Sequence, residues 1–257
     1  MLQLPLTRER TYIVVRRFGS VTSIEAIVNR QILKWELQKQ EAEEQQKKRP
    51  APLPIVTISR ETGSRGSYFG SRLAQRLGYQ RLHREAIDFI CRSSGYRRRV
   101  VESLDEQVRG KLQVLVDSLL TGQAVDNSDY TRQLTQIVLS MSHLGGVILI
   151  GRGGSWILGP NRGFHIRVVC PKPKRIENLQ KYKRLDRAEA EKMIDESDRN
   201  RRAFIKEVYG ADIDNPHHYD LVMNSALIDV EELLDTAIVA MKGKMDKLSN
   251  LDHDPQP

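Results

Sequence analysis

The stretch from residue 55 to residue 67 limits this chain more than any other. A strand-like run, Ile55-Val56-Thr57-Ile58, passes through Ser59-Arg60-Glu61-Thr62-Gly63-Ser64-Arg65-Gly66-Ser67 straight into a helical pattern. Glycines let a backbone turn so that successive N–H groups point inward, and the N-terminus of the following helix adds positive potential. The layout is a socket for phosphate oxygens in an α/β protein. The usual phosphate loop reads G-x-x-x-x-G-K-[ST]. Here Gly66 stands where lysine would precede the hydroxyl residue, Ser67, and Arg65 supplies a cation one position earlier. The competing reading is a purely structural turn whose glycines serve only to permit positive φ.

The helix after the loop is written in Phe69, Leu73 and Leu77, with Gly78 to end it. Two further apolar stripes follow, Leu112, Leu115, Val116, Leu119 and Leu120, then Leu134, Ile137, Val138 and Met141; residues 121–132 between them are polar and read as exposed. Val147-Ile148-Leu149-Ile150 is a short, wholly apolar run of the kind buried on both faces of a sheet. Further strands are expected at residues 164–170 and 219–223, and a last helix opens with the capping pair Asp229 and Glu232. Alternating strands and helices predict a parallel sheet in a three-layer α/β fold, with ligands bound at the carboxyl ends of the strands.

Residues 1–50 differ in composition and read as a helical extension with a linker. Ile24, Val28, Ile32 and Trp35 recur at helical spacing, giving a sticky face that could dock on the main domain or on a second chain. The proline-rich segment at residues 49–54 marks the hinge, so the divisions expected are 1–50, a main domain at 51–245 and a polar tail at 246–257. Lysine and arginine outnumber aspartate and glutamate by 41 to 33, which favours anionic partners. No zinc-finger, helix-turn-helix or aromatic RNA-binding signature directs that charge to nucleic acid. Cys91 and Cys170 form neither a disulfide framework nor a zinc spacing, and the scattered histidines read as structural or surface groups. With no membrane-length apolar run and no signal-peptide core, a cytoplasmic location without membrane partners is expected.

Arginines supply the remaining candidates. Gly151-Arg152-Gly153-Gly154 places a guanidinium at a strand end, where its planar fork suits a phosphate; a surface arginine paired with an acid is the alternative. Within Asp198-Arg199-Asn200-Arg201-Arg202-Ala203-Phe204, Arg199 and Arg202 share a helical face from which Arg201 is displaced. A solvated helix face is the plain alternative there.

Four segments in order, Thr57-Ile58-Ser59-Arg60-Glu61-Thr62-Gly63-Ser64-Arg65-Gly66, Gly151-Arg152-Gly153-Gly154, Asp198-x-x-Arg201-x-x-Phe204 and Tyr219-Asp220-Leu221-Val222-Met223-Asn224, resemble the cytidylate kinase-like family of P-loop proteins over about residues 54–241. The resemblance implies phosphoryl transfer from ATP to a nucleoside monophosphate, with CMP the family's default acceptor. Gly63, Ser64, Arg65, Gly66 and Ser67 would hold the donor phosphates, Arg152 the acceptor phosphate, and Arg199, Arg201 and Arg202 would act with Arg65 in catalysis from a mobile lid. Mg²⁺ would bridge the donor phosphates with Ser67 as the nearest hydroxyl. Cytidylate kinases proper carry a loop lysine and an aspartate after the glycine-arginine pair, where this chain has Gly66 and Gly153. A catalytically silent nucleotide-binding module is therefore the rival reading, and an arginine-driven contact with RNA or DNA a third. Self-association through the N-terminal helix is a further expectation.

Overall fold

A computed structural model of the chain describes residues 23–45, 52–121 and 128–251. Five parallel strands form one sheet: β1 (Val56–Arg60), β2 (Gln80–His83), β3 (Val147–Ile150), β4 (Phe164–Val169) and β5 (Leu221–Asn224), in the order β2-β3-β1-β4-β5. β1 lies at the centre, with Val56 opposite both Ile148 and Phe164. The chain leaves β1 for one edge and later returns to its other side. Such a reversal opens a crevice at the carboxyl ends of the strands.

The apolar run of β3 shows why both faces are covered. Val147 and Leu149 turn toward one core, Ile148 and Ile150 toward the other. On the first face lie α1 (Ile24–Glu44), α3 (Arg84–Arg92), α4 (Ser94–Glu102), α5 (Glu106–Thr121), α6 (Asp129–Leu144) and α7 (Gly154–Leu158); on the second lie α2 (Gly66–Leu77) and α10 (Val230–Leu251). Burying one such side chain contributes about 1.5–3 kcal/mol, so the two cores together outweigh any single polar contact described below. A third, small core of Ile176, Leu179, Ala190 and Ile194 joins α8 (Lys172–Lys183) to α9 (Arg187–Tyr209). None of the described helices is long and apolar enough to cross a membrane.

The three-layer fold follows the pattern of the sequence, with specific departures. β2 was not foreseen, because Gln80-Arg81-Leu82-His83 buries only Leu82 fully and carries no period-2 signal. The strand expected at residues 219–223 is Leu221–Asn224, preceded by a single 3₁₀ turn at Pro216–His218. The polar stretch at 121–132 is not all exposed: Ser128 caps α6 by accepting from the Thr131 amide, and Thr131 is buried. Residues 122–127 lie outside the described residues, as do 1–22, 46–51 and 252–257. Of the two places open to the sticky face of α1, the main domain fills one: Val28, Ile32 and Trp35 are buried in the first core, and the Trp35 indole donates to Gly145 O at 3.1 Å.

Candidate functional site

The loop between β1 and α2 is held from outside by its carbonyls. Ser225 Oγ donates to Ser64 O (2.7 Å), Asn178 Nδ2 to Gly63 O (2.9 Å) and Ser64 Oγ to Glu61 O (2.8 Å). The Thr62 amide is taken by Asp198 (3.0 Å) and that of Gly66 by Ser64 Oγ (3.3 Å). The amides of Gly63, Arg65 and Ser67 find no acceptor among the described residues. Arg65, the N-cap of α2, adopts φ 59° and offers no side-chain cap, so the Ser67 amide in the first turn of the helix is left without an acceptor among the described residues. Free amides at a helix N-terminus make an anion site. Gly63 sits at φ 83°, and a Cβ there would lie 2.6 Å from Arg175 O; the loop is packed directly on α8.

At the end of β3 the chain takes three successive positive φ values, 91° at Gly151, 58° at Arg152 and 68° at Gly153. A non-glycine residue in that region is held there by its surroundings. The Arg152 guanidinium pairs with Asp88, Nε at 2.7 Å from Oδ1 and Nη2 on Oδ2, and lies over the rings of Tyr130 (5.6 Å) and Phe204 (5.0 Å). Tyr130 donates its hydroxyl to the same carboxylate at 2.7 Å. Tyr209 covers Gly153 and donates to Arg152 O at 2.9 Å, and burial pushes its phenol well above the ordinary range. Trp156 stacks on Tyr209 with centroids 5.9 Å apart, its indole N–H buried without an acceptor among the described residues.

Both turns open into one cavity of about 970 Å³. Arg60, Arg65, Arg84, Arg152 and Arg201 line it. Desolvation first, and then the neighbouring Arg201 charge, lower the Arg60 guanidinium to about 10. Arg201 bonds Thr62 Oγ1 and Asp198 Oδ1, and burial pulls its pKa down despite that acid. Asp198 also pairs with Arg175; burial alone would raise its pKa, but the Thr62 amide and the two guanidinium groups bring it below the usual carboxylate range. The Glu85 carboxyl is held at about 2, chiefly by its hydrogen bond to His83. The sequence-predicted residues Gly63, Arg65, Gly66, Ser67, Arg152 and Arg201 thus meet around one cavity. Ser64 is buried beneath the loop; Arg199 and Arg202 are exposed and lie off the cavity lining, Arg202 pairing with Asp214 at 2.9 Å. Sequence reasoning did not single out Asp88, Trp156 or Tyr209, which carry no motif and are gathered only by the fold.

Among the described residues no group of three or more His, Cys, Asp or Glu side chains forms a metal cage. Mg²⁺ that arrives on nucleotide phosphates keeps several waters and needs little from protein. Ser67 Oγ, exposed at the first turn of α2, fits such a contact.

A family model described as "Cytidylate kinase-like family" matches residues 55–227. A cytidylate kinase from Ignicoccus hospitalis is 23% identical over 184 residues, covering 72% of this chain and 96% of that protein. A uronate isomerase from Corynebacterium glutamicum is 33% identical over 113 residues, 44% of this chain, but the match spans only 22% of that relative's length. Among solved structures, an uncharacterized protein from Eubacterium ventriosum superposes with a TM-score of 0.56 at 15% identity, covering 74% of this chain and 98% of that one, a likeness of fold alone. Since the family model takes in well over half of its length, the chain belongs to the cytidylate kinase-like family, whose general chemistry is phosphoryl transfer.

Proposed function

We propose that the protein transfers the γ-phosphoryl group of ATP, bound with Mg²⁺, to a nucleoside monophosphate, with CMP the family's default acceptor. The observation that carries this reading is the single cavity joining a loop of free amides to the Gly151–Gly154 turn, with guanidinium groups along its walls. Donor phosphates rest on residues 63–67 and the acceptor phosphate near Arg152. An acceptor phosphate oxygen then attacks the γ-phosphorus in line and ADP leaves. Positioning and charge neutralisation supply most of the acceleration in such a transfer, so the chain needs no covalent participant. Arg201 lies at the junction of α9 with the loop; Arg199 and Arg202 reach the reaction only through closure of the α8–α9 hairpin. Residues 51–245 form the kinase domain in this reading, with 1–50 an extension.

A silent nucleotide-binding module is favoured by one observation: Arg152 is already neutralised by Asp88. A coupled ADP-release assay over a panel of nucleoside monophosphates, beside calorimetric titration with ATP and Mg²⁺, separates the two. Turnover with at least one monophosphate is expected. ATP binding without any turnover gives the silent module, and absence of both removes the site.

A further inference from the structure

Laying the pattern G-x-x-x-x-G-K-[ST] on residues 60–67 puts Arg60 at the first glycine, Arg65 at the second and Gly66 at the lysine. The first and seventh positions have exchanged character: the cation stands where glycine belongs, and glycine where the cation belongs. Geometry shows that the two changes need each other. A Cβ on Gly66 would fall 2.6 Å from Arg60 Cβ and 3.2 Å from its Cγ, so the stem of Arg60 fills the space through which a side chain at 66 would leave the backbone.

From there the guanidinium runs along the floor of the cavity. Its Nε lies 3.4 Å from Ser67 Oγ, at the end of the donor loop, and its Nη1 3.1 Å from the place a Cβ on Gly151 would take, at the start of the acceptor turn. It therefore spans the gap across which a phosphoryl group would pass. Its neighbours make the position costly. Arg152 has Asp88, Arg175 and Arg201 share Asp198, and Arg167 and Arg202 share Asp214, whereas Arg60 pairs with no carboxylate among the described residues. Arg201, Arg84 and Arg81 repel it, Glu85 being the acid that acts on it from a distance. A half-buried cation set among cations destabilises the empty protein, and a polyphosphate supplies the missing counter-charge. Arg65 is differently placed. It lies at the rim between the rings of Tyr68 (4.8 Å) and Tyr182 (5.1 Å), a setting that fixes it by cation–π contact away from the floor.

We propose that Arg60 is the phosphate-loop cation of this protein, its guanidinium reaching across Gly66 to bind the terminal phosphates of ATP and the phosphoryl group in transit. This rests on the reading of the cavity as an ATP site. It assigns to Arg60 the work that the sequence alone gave to Arg65, and it explains Gly66 as the condition for that assignment rather than as a lost catalytic group.

Calorimetric titration with ATP and Mg²⁺ and with inorganic tripolyphosphate, beside thermal melts, tests this on the full chain and on Arg60→Met, Arg65→Ala, Gly66→Lys and the double variant Arg60→Gly/Gly66→Lys. Arg60→Met is expected to weaken both ligands roughly 10- to 100-fold, the range for a lost charged hydrogen bond. Its ligand-free melting temperature should be equal to or above that of the wild type, an outcome a merely structural arginine would not give. Gly66→Lys alone should melt lower, while the double variant, which restores the usual pattern, should bind within about fivefold of wild type, a lysine replacing the guanidinium as counter-charge. Wild-type binding that persists undiminished in Arg60→Met, with the loss appearing in Arg65→Ala, overturns the proposal in favour of Arg65. Should Arg60→Met fail to fold, the double variant decides: a folded double variant that binds neither ligand overturns it. A wild type that binds neither ATP nor tripolyphosphate removes the ATP-site reading itself, and the proposal with it.

Discussion

Gly153 and Tyr209 form the other residue pair in which a departure from the cytidylate kinases proper is matched by a neighbour. The position that carries an aspartate in those enzymes has φ 68° here, and a Cβ would meet the Tyr209 ring at 2.2 Å. Rigid ring atoms cannot yield as a flexible side-chain end would, so Gly153→Asp is expected to destabilise the protein by about 2 kcal/mol or more. Tyr209→Ala removes the obstruction and leaves only the backbone strain, which aspartate tolerates better than most residues. The two substitutions should therefore couple: in the Tyr209→Ala background, the added cost of Gly153→Asp should fall by at least about 1 kcal/mol, read from denaturant midpoints. Costs that simply add would show that the ring moves aside freely. Neither partner of Gly153 nor that of Gly66 was legible in the sequence. A motif shows which side chain is missing, but the atoms filling its space come from Tyr209 across the fold and from Arg60 at the mouth of the same loop, and only packing reveals them.

At the scale of elements, α8 and α9 form a hairpin with a small core of its own, and their bases grip the loop by polar side chains as well as by the close approach of Gly63 to Arg175. Arg175 and Asn178 of α8 reach the carbonyls of Thr62 and Gly63; Asp198 and Arg201 of α9 reach the amide and hydroxyl of Thr62. Any tilt of the hairpin is thus passed to the phosphate loop through Asp198. The side chains of Asp198 and Arg175 are only 8% and 10% exposed, which makes removal of one charge expensive for the other. Asp198→Asn is expected to cost about 3 kcal/mol near neutral pH. The sign of its pH dependence follows from the lowered folded pKa. Stability from the carboxylate is present in full above the unfolded value near 4 and is lost as pH falls through the folded value. Stability curves of wild type and Asp198→Asn should accordingly draw together as pH falls below about 4; a gap as wide in acid as at neutral pH would locate the effect elsewhere. This hairpin is readable in part: Asp186 and Glu189 stand in the sequence at the spacing of a capping box, and both bonds of that box are present at the start of α9. What α9 grips was not readable, since charge spacing alone does not separate Arg201, turned inward, from Arg199 and Arg202, turned out.

For the whole molecule, the question is what the residues ahead of the family match contribute. The match begins at residue 55, and composition sets residues 1–50 apart, yet α1 closes the face of the sheet opposite α2 and α10. Its apolar stripe was legible because i, i+4, i+8 spacing survives any context; its destination was not, because a stripe does not name the surface it covers. Trp35 marks that destination. The ring is 1% exposed, and its N–H satisfies the carbonyl of Gly145, which ends α6 just before the buried strand β3. Trp35→Ala leaves a large void and an unpaired carbonyl at that junction, and a loss of about 3–5 kcal/mol is expected. The phosphate loop lies at the other end of β1 and rests on the second core, so affinity for tripolyphosphate in the folded fraction should stay within about twofold of wild type, as for sites without shared partners. Unfolding followed by far-UV circular dichroism and by ligand-dependent protection should show one coincident, lowered transition if α1 belongs to the folding unit. An unchanged transition in Trp35→Ala would instead make residues 1–50 a separable appendage resting on a domain that is stable without it.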